Sequence, residues 1–275
     1  MKIKLVIVLA LGALVLSCNN KPENKPEIKP KEIAKEKFQN KAQKLVYEMT
    51  KKVGNYQTLL NKKDVVYTYT YQTPDGKSDI STEKYIFNGE LSYGMYHQHE
   101  RTFSDLKGPI EQGYNGKEFW LKHNGVVLKD SIRLKRVAFN RPTNFYWFTM
   151  FQKLMDPGLT YEYLGEKILN DIPYDIVKIS FNSVNEKPTD IYQLYINKKT
   201  MLVDQFLFTV ADFGVVEEPF LMTINYEKIE DMLIPTQRLY KKSTWNADVS
   251  NEPWIKVNWT NIKFNNGLVK DDFFQ

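Results

Sequence analysis

Residues 144–163, NFYWFTMFQKLMDPGLTYEY, decide the fold that we predict for this chain of 275 residues. An apolar, aromatic run ends there at Asp156-Pro157-Gly158, a combination that stops a helix. Short strand-like segments lie on both sides of it. A short helix inserted among so many strands has to cover a sheet, so we expect it on the concave face of a curved one. It would be either a lid on an apolar cavity or ordinary core packing.

Segments with the period of a β-strand fill most of the remaining chain. Val65, Tyr67, Tyr69 and Tyr71 alternate with Val66, Thr68 and Thr70, so that one set faces each side of a sheet. Further strand candidates are residues 81–90, 91–103, 110–115, 117–123, 126–130, 159–169, 174–181, 191–197, 202–210, 220–230, 234–243 and 254–265. Asn-Gly pairs between several of them predict tight hairpins, which make neighbouring strands antiparallel. The prediction is a mainly β (α+β) fold, a large curved antiparallel meander or half-barrel of about eleven or twelve strands.

Residues 32–53 predict a long N-terminal helix. Their apolar side chains recur every three or four positions, and Gly54-Asn55 supplies a left-handed stop. The apolar stripe would pack on the domain or, as the alternative, bind a membrane. Residues 131–139 are ambiguous between a strand and a short helix.

The first 17 residues have the features of a signal peptide. Lys2 and Lys4 precede an apolar run, residues 5–16, that is too short to span a bilayer. The run ends in Leu16-Ser17-Cys18, which resembles a bacterial lipobox, so Cys18 is the expected lipidation site; a plain secretory peptide is the alternative. Cys18 is the only cysteine of the chain, which excludes an intrachain disulfide.

Residues 18–31 are expected to be a tether, because Lys-Pro recurs at 21, 25 and 29 and makes an extended, solvated spacer. Residues 32–275 would then be a single half-barrel domain, monomeric and lipid-anchored in the cell envelope. The outer membrane is the default location, since the residue after Cys18 is Asn19 rather than Asp; the side that the domain faces stays open. A net charge of +5, without a basic stripe, argues against a nucleic-acid partner.

Several segments resemble a known family. They are FYWF at 145–148, DPG at 156–158, YLGE at 163–166, YDIVKISF at 174–181, DIYQLYINKKTMLVDQFLFTV at 190–210, LIPTQRLY at 233–240 and WTNIKFNNGL at 259–268. Over roughly residues 40–275 the chain resembles a family of uncharacterised Bacteroidetes lipoproteins, a domain of unknown function. The order of its elements is also similar to the LolA/LolB/LppX half-barrels, which carry acyl chains in an apolar concavity. That resemblance implies a lipid carrier, by analogy of fold.

Aromatic residues are abundant, with 16 Phe, 17 Tyr and 5 Trp. A carrier of a hydrophobic or lipidic ligand would line its cavity with Tyr67, Tyr69, Phe145, Trp147, Phe148, Phe151, Phe206 and Phe208. A glycan-binding surface lipoprotein would instead expose a platform that includes Trp245, Trp254 and Trp259. A structural or interaction module without a small ligand is the third alternative.

Catalytic and cofactor motifs are sparse. No nucleophile elbow, P-loop, Rossmann glycine pattern or HExxH motif occurs, so we expect a non-catalytic protein without a cofactor, although a carboxylate pair from distant strands stays open. His97 and His99 would leave the same face of a strand and are weak candidates for a metal site. A third ligand would have to come from His123, Glu100 or Glu111.

Overall fold

The computed structural model describes residues 37–183 and 187–274. The predicted signal peptide and tether, Cys18 and the first part of the predicted N-terminal helix therefore lie outside the described residues. The described residues from Phe38 onward form one compact unit.

A single antiparallel sheet of thirteen strands dominates this unit. The strands are β1 (Asp64–Gln72), β2 (Ser78–Ile86), β3 (Leu91–His99), β4 (Ile110–Tyr114), β5 (Phe119–His123), β6 (Val126–Val127), β7 (Leu159–Leu169), β8 (Ile172–Phe181), β9 (Ile191–Asn197), β10 (Val203–Val210), β11 (Val215–Ile229), β12 (Met232–Lys242) and β13 (Ile255–Phe264). The predicted large, curved antiparallel meander is confirmed.

The path of the chain explains why one helix has to cross the sheet. Strands β1 to β6 run outward to one edge, and β7 to β13 run inward from the other edge until β13 pairs with β1. The edge strands β6 and β7 do not pair with each other, so the sheet is not closed. The segment between them has to carry the chain from one edge to the other, and it does so as helix α3 (Ser131–Lys153).

Helix α3 is longer than expected. It has 23 residues and includes the ambiguous stretch 131–139, so the inserted helix, expected to be short, exceeds the N-terminal one. The side chain of Asp130 caps its start by accepting the N–H groups of Ile132 and Arg133, both at 2.9 Å. The first half of the helix carries Lys, Arg and Pro142. These residues interrupt the apolar periodicity by which a helix is predicted from sequence.

Helix α1 (Lys41–Val53) is shorter than expected, with 13 residues. Asn40 caps it by accepting the N–H of Gln43 at 3.0 Å, and residues 37–40 are not helical. Gly54 ends it at φ 94°, a left-handed conformation that favours glycine. A short second helix, α2 (Tyr56–Asn61), follows and was not predicted.

The C-terminal half of α3 packs into an aromatic core on the sheet. Phe148 stacks on Tyr67 with ring centroids 4.9 Å apart, and its ring lies 5.2 Å from that of Trp259. Each buried ring of this kind contributes about 1.5–3 kcal/mol. Arg238, also buried, donates to the carbonyl of Trp147 at 2.7 Å and faces the ring of Trp259 at 4.1 Å. Burial lowers the pKa of Arg238 to about 10, so it stays charged at neutral pH.

A fully buried ion pair ties the middle of α3 to the sheet. Arg141 donates through Nη1 and Nη2 to the carboxylate of Glu83 at 2.8 and 3.3 Å, and both side chains are 0 % exposed. Glu83 also accepts from Ser81 and Tyr85, at 2.8 and 2.9 Å. The guanidinium lies so close to β3 that a Cβ on Gly94 would be 2.5 Å from Nη1. Only glycine therefore fits opposite the pair.

We expect Glu83→Gln to lower the free energy of unfolding by about 3 kcal/mol, because it leaves the Arg141 charge buried without a counter-charge. Urea unfolding followed by circular dichroism measures the change. The double variant Glu83→Leu/Arg141→Met should lose less free energy of unfolding than the sum of the losses of Glu83→Leu and Arg141→Met.

The matched control is Lys178→Gln, which removes the half-exposed pair between Lys178 and Glu162 at 3.5 Å. It should change stability by less than about 0.5 kcal/mol. A Glu83→Gln variant as stable as this control would show that the buried pair does not hold the helix.

Candidate functional site

The space under the middle of α3, residues 136–147, is a cavity of about 750 Å³. Six aromatic residues without a hydroxyl line it: Phe139, Trp147, Phe181, Phe208, Phe213 and Phe220. Six tyrosines line it as well: Tyr69, Tyr71, Tyr96, Tyr146, Tyr192 and Tyr240. We refer to this space as the cavity.

One face of α3 forms the roof of the cavity. Arg136, Phe139, Asn140, Thr143 and Trp147 all line it, and their spacing of three or four residues puts them on a single helical face. The roof and the packed core are therefore two faces of the same helix. One face lines the cavity, and another, which carries Arg141, Phe145 and Phe148, is buried on the core.

Two rows of side chains across β1, β2 and β3 form one wall. In the first row Ser81 pairs with Tyr69 on one side and Tyr96 on the other, so the three side chains leave the same face of the sheet. In the second row Tyr71 pairs with Asp79. Tyr71 also shares a hydrogen bond of 2.5 Å with the hydroxyl of Tyr240. This wall is the polar side of the cavity.

The charges of Asp79 and Arg101 neutralise each other within this wall. Arg101 donates to Asp79 through Nη1 and through its backbone N–H, both at 2.9 Å. Thr102 donates its hydroxyl to the same carboxylate at 2.8 Å. The guanidinium of Arg101 lies 3.7 Å from the centroid of the Tyr71 ring, which holds it flat against the wall.

The opposite rim carries two carboxylates. Asp190 accepts the backbone N–H of Ala211 at 2.7 Å, and Asp212 is exposed. Burial raises the pKa of Asp190, and the nearby charge of Asp212 adds to that. Arg136 lies on the roof, with its guanidinium 5.6 Å from the ring centroids of both Phe139 and Phe213.

The structure divides the eight expected lining residues into two groups. Tyr69, Trp147 and Phe208 line the cavity. The other five lie in the tightly packed core, at 1–3 % exposure: Tyr67, Phe145, Phe148, Phe151 and Phe206.

Sequence reasoning missed the polar members of the site. Tyr71 continues the alternation of Tyr67 and Tyr69, so that pattern could have included it. The role of Arg136 follows only if residues 131–139 are predicted to be helical. Its three-residue spacing to Phe139 then places both side chains on the same face of the helix, the roof of the cavity. No pattern in the sequence indicates that Arg101 forms an ion pair with Asp79.

The three histidines do not gather around a common point. His97 shares a hydrogen bond with the Thr82 hydroxyl at 2.8 Å, and His99 contacts the carbonyl of Gly108 at 2.9 Å. His123 contacts the carbonyl of Lys107 at 2.6 Å. Residues 37–183 and 187–274 contain no group of three His, Cys, Asp or Glu side chains that could hold a metal ion.

The expected tryptophan platform is not assembled. Trp259 is 2 % exposed and belongs to the aromatic core under α3. Trp245 and Trp254 pack in a separate cluster with Tyr174, Tyr195 and neighbouring apolar residues. The prediction that these three residues share one solvent-facing surface is wrong, because Trp259 pairs across the sheet with Tyr69 and faces the same side.

No helix in the described part of the chain is long and apolar enough to cross a membrane.

No protein-family model and no curated protein matches the chain. Among solved structures it is similar to a DUF1329 family protein from Desulfovibrio piger, with 15% identity, a TM-score of 0.48 and coverage of 84% of this chain and 95% of that one. It is also similar to a putative outer membrane lipoprotein-sorting protein domain from Vibrio parahaemolyticus (12% identity, TM-score 0.49, coverage 84% and 94%). A LolA superfamily protein from Nitrosomonas europaea follows (13% identity, TM-score 0.46, coverage 80% and 98%). At these scores the likenesses carry no information about what this chain binds.

Proposed function

We propose that this protein binds or carries a hydrophobic or lipidic ligand in the cavity under α3, as a non-catalytic lipoprotein of the cell envelope. The observation that supports the proposal best is the cavity itself, about 750 Å³ lined by twelve aromatic side chains. Ligand pockets in proteins commonly measure about 300–1,000 Å³ and are lined mainly by apolar and aromatic groups. Protein interiors otherwise pack with few voids larger than a water molecule.

An alkyl chain is the ligand part that such a lining favours. Each methylene that leaves water for an apolar wall contributes about 0.8 kcal/mol, or about a fourfold gain in affinity. Rings such as Phe208 and Phe220, stacked with centroids 5.5 Å apart, offer a continuous apolar surface to a chain. We therefore expect affinity to rise with chain length until the cavity is filled.

The charged groups of the cavity support a binding role over a catalytic one. Asp79 and Arg101 neutralise each other, and among the described residues neither a histidine nor a cysteine lines the cavity. A nucleophile beside a general base, which most hydrolytic mechanisms need, is not assembled there.

The proposed anchor is a lipid on Cys18, followed by the tether of residues 18–31. A multiply acylated N-terminus would hold the domain at a membrane, with the outer membrane as our proposal. The tether would let the cavity reach a ligand at some distance from the bilayer. Both segments lie outside the described residues.

We expect Thr143→Trp to weaken the binding of a fluorescent C12 fatty-acid probe at least about tenfold, because the indole would project from the roof into the cavity. Fluorescence titration of the purified domain measures it.

Lys135→Trp is the matched control, since Lys135 lies on the exposed side of the same helix and does not line the cavity. Its affinity for the probe should equal that of the wild type. Equal binding by Thr143→Trp and wild type would place the ligand elsewhere and contradict the proposal.

Cys18→Ser should abolish the incorporation of radiolabelled palmitate and move the protein from the membrane fraction to the soluble fraction. Replacement of the neighbouring Ser17 by Ala, which keeps a small residue before the cysteine, should leave both unchanged. Membrane association of Cys18→Ser without any label would contradict lipid anchoring at this residue.

A further inference from the structure

Several hydrogen-bond donors of the cavity have no acceptor among the described residues, and three of them are the side chains of Tyr69, Tyr96 and Arg136. The phenol groups of Tyr69 and Tyr96 belong to side chains that are only 7 % and 4 % exposed, and neither makes a hydrogen bond in the described part of the chain. Arg136, half-buried on the roof, has neither a carboxylate nor a hydrogen-bond partner there. None of these donor atoms is among the fully buried, unpartnered ones of the described residues, so they open onto the cavity and can bond a ligand there.

The two phenols stay protonated, so each has an O–H group to donate. Burial raises the pKa of Tyr96 to about 12 and that of Tyr69 well above its ordinary value. Because Tyr69 and Tyr96 flank Ser81 in one row across three strands, their hydroxyls belong to the same wall. Ser81 itself donates to Glu83 at 2.8 Å and does not satisfy them.

The remaining charged groups of the cavity do not supply the missing acceptor. Asp79 is occupied by Arg101 and Thr102, as described above. Asp190 and Asp212 also line the cavity, but neither forms an ion pair with Arg136 within the described residues. The rings of Phe139 and Phe213 hold the Arg136 guanidinium in place without neutralising it.

We propose that the ligand is an amphiphile whose headgroup is an anion, a carboxylate or a phosphate, that accepts hydrogen bonds from Tyr69 and Tyr96 and pairs with Arg136. This inference rests on the proposed function, since it names the chemistry of the ligand in the same cavity. The alkyl part would lie on the aromatic side formed by residues such as Phe181, Phe208 and Phe220. An anion is preferred to a neutral headgroup because hydrogen bonds to a charged acceptor are about twice as strong as neutral ones.

Arg136 is preferred to Arg101 as the charge partner. Arg101 already has a carboxylate at 2.9 Å, so a second anion beside it would be repelled by Asp79. Arg136 has its full charge available at the rim, where a headgroup enters last and stays close to water.

Four probes distinguish the contribution of the headgroup to affinity from that of the chain, because they share a C12 chain and differ in headgroup: dodecanoate, dodecyl phosphate, dodecanol and dodecylamine. Each is titrated at pH 7.5, below its critical micelle concentration, into the purified domain in competition with a fluorescent C12 probe. We expect the wild type to bind dodecanoate or dodecyl phosphate at least about tenfold more tightly than dodecanol, and dodecylamine most weakly. The order of the two anions distinguishes a fatty acid from a phosphate-bearing lipid.

Two variants test the donors while keeping the shape of the cavity. Tyr69→Phe/Tyr96→Phe keeps both rings and removes both hydroxyls, and Arg136→Gln changes a half-exposed position that the fold does not depend on. Each variant should bind the preferred anion about tenfold more weakly than the wild type does, and should bind dodecanol less than about threefold more weakly. The controls are Tyr114→Phe and Arg133→Gln, which lie outside the cavity and should change neither affinity.

The outcomes separate this inference from the proposed function. If dodecanol or dodecylamine binds the wild type as tightly as the anions, or if both donor variants bind the anions normally, the anionic headgroup is excluded although the cavity binds chains. If none of the four probes binds the wild type, the proposed function fails and this inference fails with it.

Discussion

The buried ion pair between Arg141 and Glu83 fixes the position at which α3 crosses the sheet, and the cavity depends on that position. A pair of this kind adds little net stability, because removing both charges from water costs about as much as their attraction returns. Its effect is on register: a shift of the helix would leave two charges buried and unpaired. Gly94 is part of the same constraint, since a side chain there would displace the guanidinium. The helix is thereby held at one point, with packed core on one side and open space on the other.

Two faces of α3 differ in what they present to the sheet. On the face of Arg141, the side chains of Phe145 and Phe148 pack with Phe151 on the concave side of the sheet, and their neighbours from β1, β10 and β13 leave little room. On another face, Arg136, Thr143 and Trp147 line the cavity. One helix can do both because these two sets of side chains point in different directions around its axis. The space is thus a consequence of the sequence of the helix as much as of the curvature of the sheet.

The large antiparallel meander was predictable, although with eleven or twelve strands in place of thirteen, because period-two alternation and Asn-Gly turns are local signals that the tertiary structure did not override. The length of α3 was not, since Pro142 and the basic residues near Arg136 weaken the helical pattern in its first half. The sequence also could not predict which aromatic residues line the cavity. Tyr67 and Tyr69 occupy equivalent positions in the alternation of β1, yet only Tyr69 lines the cavity. That difference is set by where the roof lies, which depends on the contact between residues 83 and 141, far apart along the chain.

Native mass spectrometry of the full-length protein, purified gently from the membranes of cells that produce it, tests the central claim most directly. We expect a population with an added mass that equals one amphiphile, beyond any covalent lipid, and that is lost on extraction with organic solvent. The variant Thr143→Trp, purified in parallel, should lack that added mass. A wild-type protein that carries no added mass beyond a covalent anchor, together with a crystal structure in which side chains fill the space under α3, would contradict the account.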